Sequence, residues 1–202
     1  MSVKIRIIIL LVIVAILIVG FVANKFKQKT ETSPNIEIDT SMFETKSIDE
    51  IWGMKDRNQF VISMYLYIAE KCEYGSAMQN LNDEQRVFYI TQNLESEVNN
   101  GGFSQFYCNT DGLFVNELVS TFEKINAYKT AEICKKAVSI FGDTFPVDMA
   151  QIQEVLNTDD EEIEEKNSQL LSECDMEFYE YEEDLEALNY QFIINNKESF
   201  FK

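Results

Sequence analysis

Breakers are scarce in this chain. Its 202 residues include only 7 Gly and 2 Pro, too few to punctuate the many turns of a β-sandwich or barrel. The spacing of apolar residues then favours helix. Phe60, Met64, Ile68 and Cys72 step by four, with Val61 and Tyr65 beside them. Val87, Ile90, Leu94 and Val98 form a second stripe, Val115, Leu118, Phe122 and Ile125 a third, and Ala131, Cys134, Val138 and Phe141 a fourth. Steps of three and four bring side chains onto one face of a helix. No internal repeat and no convincing strand-type alternation accompanies them. The expected fold is therefore all-α, a single globular domain of about seven to nine helices over residues 47–202.

Helix boundaries are also legible. Ser47 and Glu50 read as a capping box, with Ile48, Ile51 and Trp52 anchoring a first short helix. Asn82 and Gln85 open another in the same way. Gly75 is a plausible cap, Asp111-Gly112 a turn, and Gly142 with Pro146 a stop. Two or three further helices are expected between Asp148 and Phe201.

Residues 1–24 stand apart. Ile7 to Ala23 holds no charged residue and is nearly all Ile, Leu and Val. With Ile5, the run over residues 5–23 reaches the short end of the length that spans a bilayer. A helix of a soluble core would carry a polar stripe, and this one has none. A cleaved leader is the alternative, but Phe21 occupies the position where a small residue is wanted before Ala23. We expect an uncleaved single-pass N-terminal transmembrane helix. The polar residues 25–46 then form a linker. Lys4 and Arg6 face Lys25, Lys27 and Lys29 across the span, close to a tie under the positive-inside rule. The cytoplasmic side is slightly favoured for the domain.

Charge and residue types narrow the chemistry. The net charge is −18. Since the first 30 residues carry five bases and no acid, the rest holds 35 acids against 12 bases. Such a surface repels nucleic acid and favours basic partners, cations or plain solubility. Histidine is absent, which removes the commonest general base and metal ligand. Cys72, Cys108, Cys134 and Cys174 form no C-x-x-C pair, so no zinc site is expected. Two disulfides are allowed by count, with buried free thiols as the default. No spaced Asp loop of the calcium-binding kind occurs. We expect no metal, no cofactor and no catalytic site.

Two segments draw attention. Glu97 to Tyr107 reads EVNNGGFSQFY. Gly101 and Gly102 after Asn99 and Asn100 permit left-handed backbone and a helix end, with Phe103 and Phe106 turned inward. Asn99, Asn100 and Gln105 can satisfy backbone groups freed at the break. A ligand pocket is the rival reading of this corner, but no Lys or Arg stands nearby to hold a phosphate.

From Glu154 to Glu186 there are 15 acids and one base, Lys166. Asp159, Asp160, Glu161, Glu162, Glu164 and Glu165 form one cluster. Glu173, Glu177, Glu180 and Asp184 step by three and four along one flank of a stripe made by Phe178, Tyr181, Leu185, Leu188 and Phe192. Carboxylates one turn apart stand about 5 to 6 Å from each other. A duplex carries a charge about every 3.4 Å along each strand. Two such flanks side by side approach that density, although a solvated, solubilising face is the plainer reading.

EVNNGGFSQFY, followed by Cys108-Asn109-Thr110-Asp111-Gly112, resembles the DNA-mimic protein family. The run from Phe178-Tyr179 through Asp184-Leu185, then Tyr190 to Asn195, resembles the end of the same domain. The likeness covers roughly Phe60 to Phe200. It implies an α-helical domain, a homodimer, and an acidic surface that imitates DNA to occupy a basic DNA-binding protein without touching nucleic acid itself. The expectation is thus a membrane-anchored acidic binding module with the ten clustered carboxylates as its partner face. The alternative is a tethered interaction or immunity-type protein with a non-DNA partner, its charge serving solubility.

Overall fold

Most helix starts among the described residues are set by side chains that accept otherwise orphaned backbone N–H groups. A computed structural model describes residues 46–110, 112–142, 146 and 148–201. Helix α1, Ile48–Trp52, begins at Ser47, whose hydroxyl accepts from the Glu50 N–H while the Glu50 carboxylate accepts from the Ser47 N–H at 2.9 Å. The Ser47 hydroxyl also donates to that carboxylate and holds it below its usual range. Helix α2, Arg57–Lys71, is capped by Asp56. Helix α3, Asp83–Asn109, carries the Asn82–Gln85 capping box. Beyond it come α4 (Leu118–Lys124), α5 (Tyr128–Val138), α6 (Met149–Leu156), α7 (Glu161–Tyr179), α8 (Leu185–Asn195) and α9 (Lys197–Phe200). Asp148, Asp160 and Asp184 cap α6, α7 and α8.

The described residues therefore form an all-α fold of nine α-helices with no strand. They belong to one unit, Ser41–Lys202. The expected transmembrane helix over 1–24 and the linker as far as 45 lie outside the described residues. Among the described residues, no helix is long and apolar enough to cross a membrane.

The centre of the fold is α3, which packs against α2, α4, α6, α7, α8 and α9. Its stripe of Val87, Ile90, Leu94 and Val98 is buried, and Phe103, Phe106 and Tyr107 continue it with no exposed surface. The stripe of α2, from Phe60 to Cys72, is buried against it. Arg86 on α3 holds Glu117, just before α4, through two hydrogen bonds of 2.7 and 2.5 Å. The first and last helices meet through Trp52, which stacks on Phe201 with ring centroids 4.9 Å apart. The Lys197 ammonium lies over the Trp52 ring at 4.7 Å. Asn82 and Gln85 side chains both donate to the Ser199 carbonyl, at 2.7 and 2.8 Å, which ties the start of α3 to α9.

Apolar periodicity misleads at one point. Phe178, Tyr181, Leu185, Leu188 and Phe192 do not share one helix, because α7 ends at Tyr179 and α8 begins at Leu185. Tyr181 is left-handed, with φ 46°, and its side chain is exposed. The connecting carboxylates have better partners than a continued helix offers. Asp184 accepts the Ala187 N–H at 2.8 Å and so starts α8. Glu183 accepts the Lys129 and Thr130 N–H groups at the start of α5, at 3.1 and 2.9 Å.

Candidate functional site

The NNGG segment is a break inside α3. Helical geometry stops at Gly101 (φ −169°, ψ 25°) and Gly102 (φ 77°, ψ 179°) and resumes at once. Gly101 is extended, a conformation open to any residue; only Gly102 enters the left-handed half that was expected of both. A Cβ on Gly102 would run into the Asp175 carboxylate of α7. That carboxylate accepts the Phe103 N–H at 2.8 Å, so a residue of α7 caps the second stretch of α3. Burial raises the Asp175 pKa against this hydrogen bond. Glu97 bridges the break by accepting from Gln105 at 2.8 Å and Asn109 at 2.7 Å.

Around the break, Asn99, Asn100 and Gly101 are exposed while Phe103 and Phe106 are buried. The Asn99 amide donates to the Tyr181 hydroxyl at 2.5 Å, and that hydroxyl donates to Glu95 at 3.1 Å. The Tyr179 hydroxyl donates to the Val98 carbonyl at 2.8 Å. The Glu95 pKa is raised, mainly by burial and partly by the charges of Glu186 and Asp184, against the hydrogen bonds from Tyr181 and Gln92. Asp175 was missed from the sequence. A signal existed, because it falls four residues after Leu171 and three before Phe178, on the buried flank of its helix.

The ten acids of the expected partner face divide into two sets. Asp159, Glu161, Glu162, Glu164 and Glu165 are exposed and have no ion pair among the described residues. Asp160 is exposed too and caps α7, accepting from the Glu162 and Ile163 N–H groups. These six surround the N-terminus of α7, where negative charge also suits the helix dipole. The second set is largely engaged inside the molecule. Lys136 pairs with Glu173 at 3.3 Å and with Glu177 at 2.7 Å. Asp184 pairs with Arg57 at 3.1 Å, and Arg57 also holds Glu186 at 2.6 Å. Glu182 pairs with Lys129. Glu180 is exposed. These pairs are solvated and add little to stability. They nevertheless cancel charge locally, so the row from Glu173 to Asp184 is not a bare line of carboxylates.

All four thiols are free, with Cys72, Cys134 and Cys174 buried and Cys108 half-buried. Burial pushes Cys174 up to about 11 and Cys134 higher still, so both stay protonated at neutral pH and are poor nucleophiles. Among the described residues, no group of three or more Cys, Asp or Glu is arranged to hold a metal ion. An open cleft of about 400 Å³ lies between α5 and the α7–α8 connection. The lysines on its rim, Lys129 and Lys136, are held by Glu182 and by Glu173 and Glu177.

The geometry thus joins two things: a buried-side corner built on Gly102, and an exposed, uncompensated acidic helix start. A family model described as DMP19-like protein matches residues 79–196, which takes in the whole of α3, the break, and the acidic run through α7 and α8. No curated protein and no solved structure matches the chain. The matched segment is more than half of the 202 residues, and the chain belongs to the DMP19-like protein family.

Proposed function

We propose that this chain is an acidic binding module that imitates the charge of DNA and occupies the groove of a basic nucleic-acid-binding protein. The observation that carries the reading is the uncompensated cluster at the start of α7, Asp159 to Glu165, exposed and without ion pairs among the described residues. The helix dipole and the Asp160 cap account for part of this charge, but six acids together also repel, like charges one turn apart costing a helix a few tenths of a kcal/mol each. A basic groove supplies the missing counter-charge. Membership of the DMP19-like family supports the same reading. The test is affinity capture with the full chain from its native cytoplasm, followed by elution with duplex DNA. The captured protein should bind nucleic acid and be released by the duplex; a partner that DNA does not release contradicts the proposal.

The same proposal places the module at a membrane, anchored through residues 5–23 and facing the cytoplasm, where DNA-binding proteins are met. After an alkaline wash the full chain should remain in the membrane pellet, and a topology reporter fused after Lys202 should report the cytoplasmic side. A washed-out product lacking the first 23 residues contradicts the anchor.

A second reading has its own observation. Glu173, Glu177 and Asp184 are engaged by Lys136 and Arg57, so part of the acid content serves the fold. A tethered module for a non-DNA partner, with its charge for solubility, is then sufficient. Capture of a partner indifferent to DNA favours it.

A further inference from the structure

On the C-terminal half of α7, Met176 is 59% exposed and Tyr179 48%. They stand one turn apart and so share a face. Tyr181, at 42%, comes just after the helix. Exposed apolar side chains are common singly, but Tyr179 and Tyr181 share one neighbour, the break in α3, and Met176 stands one turn from Tyr179. Tyr179 is bonded to the Val98 carbonyl and Tyr181 to the Asn99 side chain, so both rings are fixed beside the break in α3. Tethered hydroxyls hold the two rings in place, leaving little rotamer entropy to lose on binding.

Carboxylates lie close to the strip. Glu95 accepts the Tyr181 hydroxyl, Asp175 lies on the same helix one residue before Met176, and Glu180 is exposed between the two tyrosines. The nearby cations are committed, Lys129 to Glu182 and Lys136 to Glu173 and Glu177. Ring faces beside negative charge attract a guanidinium, which is planar, weakly hydrated and stacks on aromatics. The same molecule already sets cations over rings, with Arg86 above Phe114 at 5.7 Å and Lys197 above Trp52 at 4.7 Å.

We propose that Met176, Tyr179 and Tyr181 form a docking strip for arginine side chains of a basic protein segment. The strip deepens the mimic reading by naming what the partner must present, and it is separate from the acidic cluster at the start of α7. Long-range charge brings the partner in; the strip grips it at short range and prefers arginine to lysine. Met176 covers the aliphatic stem while the tyrosine faces take the guanidinium.

The test uses the full chain in non-ionic detergent and two labelled ten-residue probes, one of arginine and one of lysine, titrated by fluorescence anisotropy at low and high salt. The arginine probe should bind roughly twofold to fivefold more tightly, and the preference should persist at high salt. Met176→Glu adds negative charge, so a purely electrostatic surface would bind better; the proposal expects weaker arginine binding and a reduced preference. Tyr179→Phe keeps the ring, frees it from Val98, and should give an intermediate loss with the melting temperature monitoring the fold. Equal affinity for both probes, no binding of either, or tighter arginine binding by Met176→Glu overturns the proposal. If Met176→Glu changes the sedimentation coefficient and leaves probe affinity alone, the strip faces a second copy of the chain and the proposal fails. DNA competition decides the mimic reading independently, through the acids at 159–165, and its failure leaves an arginine preference interpretable.

Discussion

Gly102 and Gly142 make a controlled pair at the residue scale. Both are left-handed, with φ 77° and 63°. A Cβ at Gly102 meets the Asp175 carboxylate, whereas one at Gly142 meets nothing within 4 Å among the described residues. Gly142→Ala should therefore cost only the backbone penalty, about 1 to 3 kcal/mol. Gly102→Ala should cost more, about 2 to 4 kcal/mol, because it also displaces the cap on Phe103. Urea unfolding of the two variants measures the difference, and equal losses would remove Asp175 from the account. Glu95 offers a pH test. Its pKa is raised in the fold, so the folded state holds the proton more tightly than the unfolded chain. The sign is opposite to that of a salt-bridged carboxylate: the ionised form costs stability above the folded pKa, and the cost disappears as pH falls through it towards the ordinary range. Melting of the parent should improve relative to Glu95→Gln as pH falls from neutral to the ordinary carboxylate range. A gap that stays constant over that fall contradicts the buried-carboxylate reading.

At the scale of elements, carboxylates from the α7–α8 connection organise their neighbours. Glu183 accepts two backbone N–H groups and the Thr130 hydroxyl at the start of α5, a helix with no side-chain cap of its own. Glu183→Ala should destabilise by about 1 kcal/mol, as a lost cap does, while Glu164→Ala, on a solvated position, should stay within about 0.5 kcal/mol. Thermal melting of both variants checks this, and equal effects would show that Glu183 is not a cap. The same residues explain what the sequence disclosed and what it hid. Ser47, Asn82, Asp148 and Gly142 act locally, within three residues of what they govern, so helix starts and stops could be read from them. The α2 and α3 stripes were legible for the same reason. The turn at 180–184 was not, since apolar spacing continues across it and its cause, the capping of α5 by Glu183, spans more than fifty residues of chain. Asp175 was hidden likewise, because its partner is Phe103 in another helix.

For the whole molecule, the acid content has two uses that composition alone could not separate. The acids from 173 onward are largely spent on ion pairs and caps, while those from 159 to 165 face solvent uncompensated. The proposed function rests on the acids at 159–165, and this changes which variant is informative. Reversing Glu173, Glu177 and Asp184 would remove the partners of Lys136 and Arg57 and confuse binding with stability. Reversing Asp159, Glu162, Glu164 and Glu165 to Lys spares the core and keeps the Asp160 cap. The decisive measurement is a competition titration: the full chain displacing labelled duplex DNA from the captured partner, across a salt series, for the parent and for the four-residue reversal. The account predicts displacement that weakens steeply with salt, as screening shortens to about 8 Å at physiological ionic strength, and a loss of about tenfold or more in the reversal with helix content unchanged. Displacement that is indifferent to salt and to the reversal, or a partner that binds the chain and DNA together, would contradict it.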